Sequence, residues 1–218
     1  MIEVTYVDHM GSDLSVVNAA RVSFGKKSDW MPRVHNGEQL VLTPKDAKLI
    51  SYLAKHQHKS PFNHAFATFH IKAPIFVARQ LQKHEYMPWN EISRRYVDSE
   101  PEFYVPDVWR GRSEDKKQGS SGTVDLVDYS LDDYNGNGVD FYTCLIRDGV
   151  CPEQARMVLP QSTMTEWIWS GSLYAFAKMC SLRLKEDSQQ ETREVAMQID
   201  EIMEKAFPVS WKALGKHL

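Results

Sequence analysis

Apolar and polar positions alternate at the start of the chain, where Ile2, Val4 and Tyr6 interleave with polar partners and predict a strand over 2–7. A helix-like stretch over 13–24 follows, then a polar loop over 25–38. The next start signal is cleaner. Thr43 can cap, Pro44 suits the first helical position and Asp46 sits in the first turn ahead of Leu49, Ile50, Leu53 and Ala54, so a helix should end near His56. Residues 66–72 read as a strand, with Phe66, Thr68 and His70 on one face. Pro74 then opens an apolar helix over 75–84 that carries Gln80, Lys83 and His84 on one side.

Farther on the pattern weakens. Residues 110–123 have almost no apolar content and read as a solvated loop excursion within one domain spanning 1–218. A faint helical pattern over 124–148 is interrupted by Asn135-Gly136-Asn137-Gly138, and Pro152 opens a short helix through Arg156. The last third is regular again: Val195, Ala196, Ile199, Ile202, Met203 and Ala206 recur at three- and four-residue spacing, the mark of a long amphipathic helix ending before Pro208.

Composition narrows the functional classes. With 26 Lys+Arg against 29 Asp+Glu the net charge is −3, which leaves no basic excess for a nucleic-acid backbone. At 42% hydrophobic residues the chain can build a real core. No apolar run reaches the roughly 18 residues of a membrane span and the start lacks a secretory pattern, so a soluble, cytoplasmic protein is expected. Cys144, Cys151 and Cys180 show no metal spacing and are read as core thiols.

Candidate chemistry concentrates between Arg79 and Tyr96. Arg79, Lys83, Arg94 and Arg95 surround His84, Asn90, Glu91 and Ser93 directly after an apolar helix, with Trp89 and Tyr96 to hold them near a core. Guanidinium groups grip phosphate while Asn, Glu and Ser can read a heterocycle edge, so the segment suits an anionic small molecule. A solvated helix end is the plain alternative.

The run Arg79-Gln80-x-x-Lys83-His84, with Asn90-Glu91-x-Ser93-x-Arg95-Tyr96, resembles the signature of the flavin-dependent thymidylate synthases, an Arg-His-Arg triplet followed by seven residues and a Ser. The resemblance extends in order through Ala19-Ala20-Arg21-Val22-Ser23, Ser60-Pro61-Phe62-Asn63-His64, 155–160, and Ser181-Leu182-Arg183 with Gln189-x-Glu191. It implies an α/β fold of the α+β type, a sheet flanked by helices, and a homotetramer whose active sites are shared between subunits. It implies transfer of a methylene group from methylenetetrahydrofolate to the uracil ring of dUMP, a hydride from reduced FAD to complete the methyl group, and NADPH to re-reduce the flavin.

Carried over by position, the resemblance assigns Gln80, Lys83, Glu91, Ile92, Ser93, Arg94, Arg95, Arg156 and Arg183 to dUMP, with Arg183 activating the ring by favouring its ionised form. It assigns His58, Ser60, Lys83, His84, Glu85, Glu91, Ser172, Tyr174 and Lys178 to FAD. Ser60 can equally cap a helix before Pro61. Four positions depart from the family: Lys83 replaces the first arginine of the triplet and Glu85 the second, reversing a charge where flavin contacts fall, and Tyr174 and Lys178 stand where the family often carries Arg and Asn. Lys178 can supply part of the missing positive charge.

Other chemistries fit less well. Classical thymidylate synthases need a Pro-Cys nucleophile, and Cys151-Pro152 reverses it; no zinc deaminase pattern is present. His56, His58, His64 and His70 have no spaced acidic or cysteine partner, so no metal site is assigned, and His70 reads as a satisfied core or interface residue. There is no Gly-rich phosphate loop, so FAD would be held by side chains and helix ends. A hydroxymethyl transfer to the same pyrimidine, and a non-catalytic nucleotide-binding relative, stay open as alternatives.

Overall fold

The computed structural model describes residues 1–32, 40–114, 119–126 and 129–218. Parts of two expected loops, 33–38 and 115–118, and of the weak pattern at 127–128 lie outside these residues. The order of elements is β1 (Glu3–Met10), α1 (Asp13–Arg21), β2 (Met31–Pro32), β3 (Leu40–Val41), α2 (Pro44–Lys55), β4 (Phe66–Pro74), α3 (Ile75–Leu81), β5 (Trp89–Glu91), β6 (Arg110–Arg112), β7 (Ser120–Thr123), α4 (Leu131–Arg147), α5 (Pro152–Ala155), β8 (Met164–Ser172), α6 (Leu173–Arg183), α7 (Gln190–Ala206) and α8 (Pro208–His217).

The main sheet is antiparallel, in the order β1-β4-β8-β5, and helices cover one face of it, an α+β arrangement. Alternation along β4 turns Ala67, Phe69, Ile71 and Ala73 inward, where they join Trp167 and Trp169 of β8. Phe176 of α6 meets Phe69 edge-on at 5.0 Å and Trp169 at 5.3 Å, so one aromatic knot pins α6 to both central strands. Burying each of these rings contributes roughly 1.5–3 kcal/mol. Val195, Ala196, Ile199 and Met203 of α7 complete the core, on the predicted stripe.

The outer face of the sheet is polar. His70 Nε2 lies 3.0 Å from a Glu166 carboxylate oxygen, and Lys72 Nζ is 2.7 Å from Glu102, whose hydrogen bond, and then charge, raise the lysine's pKa. His70 is thus a partly exposed surface residue satisfied by Glu166, not a core group.

Several expected elements are corrected. The polar stretch 110–123 is not simply loop: β6 and β7 pair as a two-stranded ribbon. α4 runs unbroken through Gly136 and Gly138, because Ser130 caps it, Asp132 and Asp133 favour its first turn, and a glycine costs a helix only about 1 kcal/mol. α3 ends at Leu81, so Lys83 and His84 lie in the turn beyond it and not on its face with Gln80. Pro208 does not merely stop α7 but occupies the first turn of α8. Of the cysteines only Cys180 is buried; Cys144 is half-buried and Cys151 exposed. Among the described residues no helix is long and apolar enough to cross a membrane.

Candidate active site

Strand pairing places the polar segment. β5 joins the sheet edge with Trp89 opposite Trp169 and Glu91 opposite Trp167, and Trp89 stacks on Trp167 at 4.4 Å. The turn from α3 to β5 must therefore reverse sharply, and Tyr86 takes φ +61°, a left-handed conformation costly for a tyrosine. Met87 packs against Gly171, where a Cβ would come within 2.8 Å of its Cε, so the turn is held against β8.

Between this turn, the N-terminal and C-terminal ends of α6 and the segment before β4 lies a cavity of about 720 Å³. It collects Lys83, His84, Glu85, Ser172, Tyr174, Lys178 and Arg183 from the assigned residues, and adds Asn63, which the sequence offers only as part of the Ser60–His64 motif, and Lys59, which it does not single out. Lys59 Nζ stands over the Tyr174 ring at 5.6 Å. Ser172 Oγ donates to Asn63 Oδ1 at 2.7 Å and accepts from the Ala175 amide at 3.2 Å, capping α6. Ser60 is not a cap: Lys59 precedes the short 3₁₀ turn over Ser60–His64, and the Ser60 hydroxyl makes no capping bond. Glu85 is outweighed by Lys59, Lys83, Lys178 and Arg183 on the same walls, so the reversed triplet charge leaves a cationic cavity.

Arg183, the last residue of α6, is fixed at the inner end. Its Nε donates to His84 Nε2 at 3.1 Å and its Nη2 to the Gln80 carbonyl at 3.2 Å. The His84 pKa falls to about 4, first because of burial and then because of the charges of Arg183 and Lys178. Neutral His84 accepts at Nε2, so its proton sits on Nδ1. The chemistry of this arrangement is that of a fixed guanidinium beside an apolar, cation-lined cleft, suited to a flat ring carrying phosphate and to stabilising negative charge on a second ring.

The remaining assigned residues do not line this cavity. His58 borders a smaller cleft that shares Lys59 and Tyr174 with it. Glu91 accepts from Thr165 Oγ1 at 2.7 Å and from Trp89 Nε1 at 3.0 Å. Ser93 Oγ accepts from the Arg95 Nε at 3.2 Å, while Arg94 donates to the Ser99 carbonyl. Arg156, on the turn after α5, is exposed and donates to the Glu153 carbonyl at 3.2 Å. Ile92 is 43% exposed beside them. Cys180 is no nucleophile, since burial pushes its thiol pKa well above the ordinary value.

A second cavity of about 670 Å³ opens near the start of α7, lined by Phe76, Tyr104, Trp109, Tyr134, Arg110 and Glu191 among others. Glu191 is 3% exposed; burial is the largest single influence and raises its pKa, but the hydrogen bonds and charge of Arg110, its own backbone amide and Gln189 together outweigh that and leave it lowered and ionised. Tyr104 is pushed up to about 12 by burial and then by Glu191 and Glu194.

Residues 5–209 match the family model described as thymidylate synthase complementing protein. A flavin-dependent thymidylate synthase of Thermus thermophilus is 39% identical over 99% of this chain and 76% of its own length. Another of that name, from Pseudothermotoga lettingae, is 34% identical over 98% of this chain and 90% of its own. Among solved structures, a UMP/dUMP methylase, PolB, from Streptomyces cacaoi bound with 5-Br dUMP is 32% identical, with a TM-score of 0.84 over 99% of this chain and 95% of that one. With matches of this length reaching through the Lys83 turn and Arg183 alike, the chain belongs to the flavin-dependent thymidylate synthases and is a methyltransferase.

Proposed function

We propose that the protein converts dUMP to dTMP in the cytoplasm, taking a methylene group from methylenetetrahydrofolate, with FAD as its flavin and NADPH as the reductant. The observation that carries this reading is Arg183, held by neutral His84 and the Gln80 carbonyl with guanidinium N–H groups to spare. A positive group fixed beside the uracil favours its ionised form, which raises electron density at the carbon that attacks the methylene donor. This requires no cysteine.

The larger cavity fits FAD. Lys59, Lys83 and Lys178 are cations for a pyrophosphate, the capped N-terminus of α6 adds a positive dipole end, and Phe66, Met87, Tyr174 and Leu182 give apolar surface to a ring system. When bound, the flavin supplies the hydride that completes the methyl group. Ser172 and Tyr174, which line the cavity, would hold it together with His58 and Ser60 of the segment that carries Lys59.

dUMP is assigned to Gln80, Lys83, Glu91 to Arg95, Arg156 and Arg183. Within one chain Arg95 and Arg156 are exposed away from the cavity, beside Tyr96 at 76% and Met157 at 77% exposure. Cationic phosphate ligands among exposed apolar side chains support a site completed by a second copy, in a homotetramer of single-domain chains.

The test is product analysis. The purified protein is loaded with FAD, reduced anaerobically with NADPH with and without dUMP, then given methylenetetrahydrofolate. Bleaching of the flavin and formation of dTMP are expected. A hydroxymethylated pyrimidine, or dUMP binding without NADPH oxidation, would overturn the proposal.

A further inference from the structure

We infer that Glu191 is a positioning residue for the pyrimidine: acting through Gln189, it fixes the orientation of the Gln80 amide so that an N–H, and not a carbonyl oxygen, is left free for a carbonyl of uracil. This rests on the assignment of Gln80 to dUMP.

Glu191 is saturated. Oε1 accepts from Arg110 Nη2 at 2.7 Å and from Tyr104 OH at 3.4 Å, and Oε2 accepts from Arg110 Nη2 at 2.8 Å and from Gln189 Nε2 at 3.1 Å. A buried carboxylate with every lone-pair direction used has no capacity left for a ligand, so its effect must pass through its neighbours.

The polarity then propagates in one direction. An ionised carboxylate only accepts, so the NH₂ of Gln189 must face Glu191 and its Oε1 must face the other way. Gln189 Oε1 accepts from Gln80 Nε2, and Gln80 Oε1 accepts from Thr192 Oγ1 at 3.2 Å. One amide N–H of Gln80 remains. The Gln80 backbone carbonyl meanwhile takes the Arg183 Nη2 hydrogen bond, so the side chain this relay orients belongs to the residue that anchors the activating guanidinium. Arg110 comes from β6, so the ribbon of β6 and β7 is tied to the reaction site through these contacts.

Glu191→Gln tests this with almost no change of shape. Arg110 and Tyr104 still donate to the side-chain oxygen, which turns the new NH₂ toward Gln189 and forces both glutamine amides to invert. A carbonyl oxygen then faces the pyrimidine. On the FAD-loaded protein, calorimetric titration should show dUMP binding weakened about tenfold, as for loss of one buried hydrogen bond, and the preference for dUMP over dCMP reduced. In a Gln80→Ala background Glu191→Gln should add nothing further, because the effect is routed through Gln80.

An unchanged dUMP affinity, or an equal loss in the Gln80→Ala background, would overturn the relay. If Gln80→Ala itself leaves dUMP binding untouched, it is the assignment of Gln80 that fails, and the inference falls with it. Should Glu191→Gln not fold, Arg110→Met removes the donor that holds the carboxylate from the ribbon side. A weaker loss of dUMP affinity, again abolished by Gln80→Ala, is then expected, and an additive loss refutes the relay.

Discussion

Arg183 donates from Nε to His84 Nε2 across 3.1 Å, so the guanidinium at the heart of the site rests on an imidazole that must stay neutral to accept it. Burial, followed by the charges of Arg183 and Lys178, keeps it so by lowering its pKa to about 4.

This gives the fold a specific pH dependence. The unfolded chain protonates this histidine below an ordinary pKa of 6.5, the folded one only near 4. Between those values the unfolded state holds more protons, so stability rises with pH through the window and is lost as pH falls from 6.5 toward 4. His84→Gln keeps an acceptor for Arg183 and removes the titration. Urea midpoints measured at intervals from pH 4 to 7.5 should fall less steeply with acid in His84→Gln than in the unaltered protein; identical slopes would exclude His84 as the source.

Arg183→Lys keeps the charge but cannot satisfy His84, the Gln80 carbonyl and a ring atom in fixed directions. Turnover should fall about 10²–10³-fold, with dUMP affinity much less affected. Single-turnover kinetics at saturating dUMP separate the two, and a lysine variant of near-normal rate would show that charge alone suffices.

Lys178 lines the same cavity as Lys59, Lys83 and Glu85, and its charge offsets the reversed charge of Glu85. Lys178→Ala should therefore weaken FAD retention severalfold and make its loss with salt shallower, because one screened ion pair to the phosphates is gone. Absorbance of the protein after gel filtration reads this directly. Full flavin retention would remove Lys178 from the phosphate side of the cofactor.

Much of this was legible in the sequence, and the exceptions have physical causes. α2 and α7 carry caps and one-sided apolar stripes, so both were foreseen within a residue or two at the ends that mattered. α6 carries no such stripe: Leu173, Phe176, Ala177, Met179 and Cys180 are all buried, and a helix apolar on several sides lacks a readable period. β8 was overlooked although Trp167 and Trp169 alternate with Glu166 and Ile168, because Thr165 and Gly171 blur its inner face. Within the site, the motif residues of the Lys83 turn and Arg183 do converge. Asn63 carries a motif match without a role and Lys59 no signal beyond its nearness to Ser60, since what they do depends on α6 arriving opposite them. Gln189 and Glu191 were visible only as a motif; their hydrogen-bond direction requires the packing of α7 on α3.

The N-terminus of α8 is satisfied from far away in sequence. No side chain of its own first turn caps it; instead Asp13, 3% exposed at the start of α1, accepts from the amides of Val209 at 2.9 Å and Ser210 at 2.8 Å. Asp13→Ala leaves both amides, the Ser210 one buried, without this acceptor and removes a negative charge from a helix start. It should destabilise the protein by about 1.5–3 kcal/mol in denaturant melts. A loss under about 0.5 kcal/mol, the range of ordinary surface changes, would mean that α8 is held by Trp211 and Leu214 alone.

Gly136 discriminates between the helix break expected from Asn135-Gly136-Asn137-Gly138 and the continuous α4. Inside a helix, alanine is favoured over glycine by about 0.8–1 kcal/mol through the entropy of the unfolded chain, provided its methyl has room. A Cβ at Gly136 meets nothing within 4 Å, and one at Gly138 would touch Pro160 Cδ at 3.5 Å, an ordinary contact. Neither glycine has positive φ. Gly136→Ala and Gly138→Ala should therefore each raise stability by about 0.5–1 kcal/mol and together raise helical content slightly by circular dichroism. Were the chain to turn at these residues instead, with the left-handed backbone that glycine favours, alanine would destabilise both positions, so the sign of the change decides between the two structures.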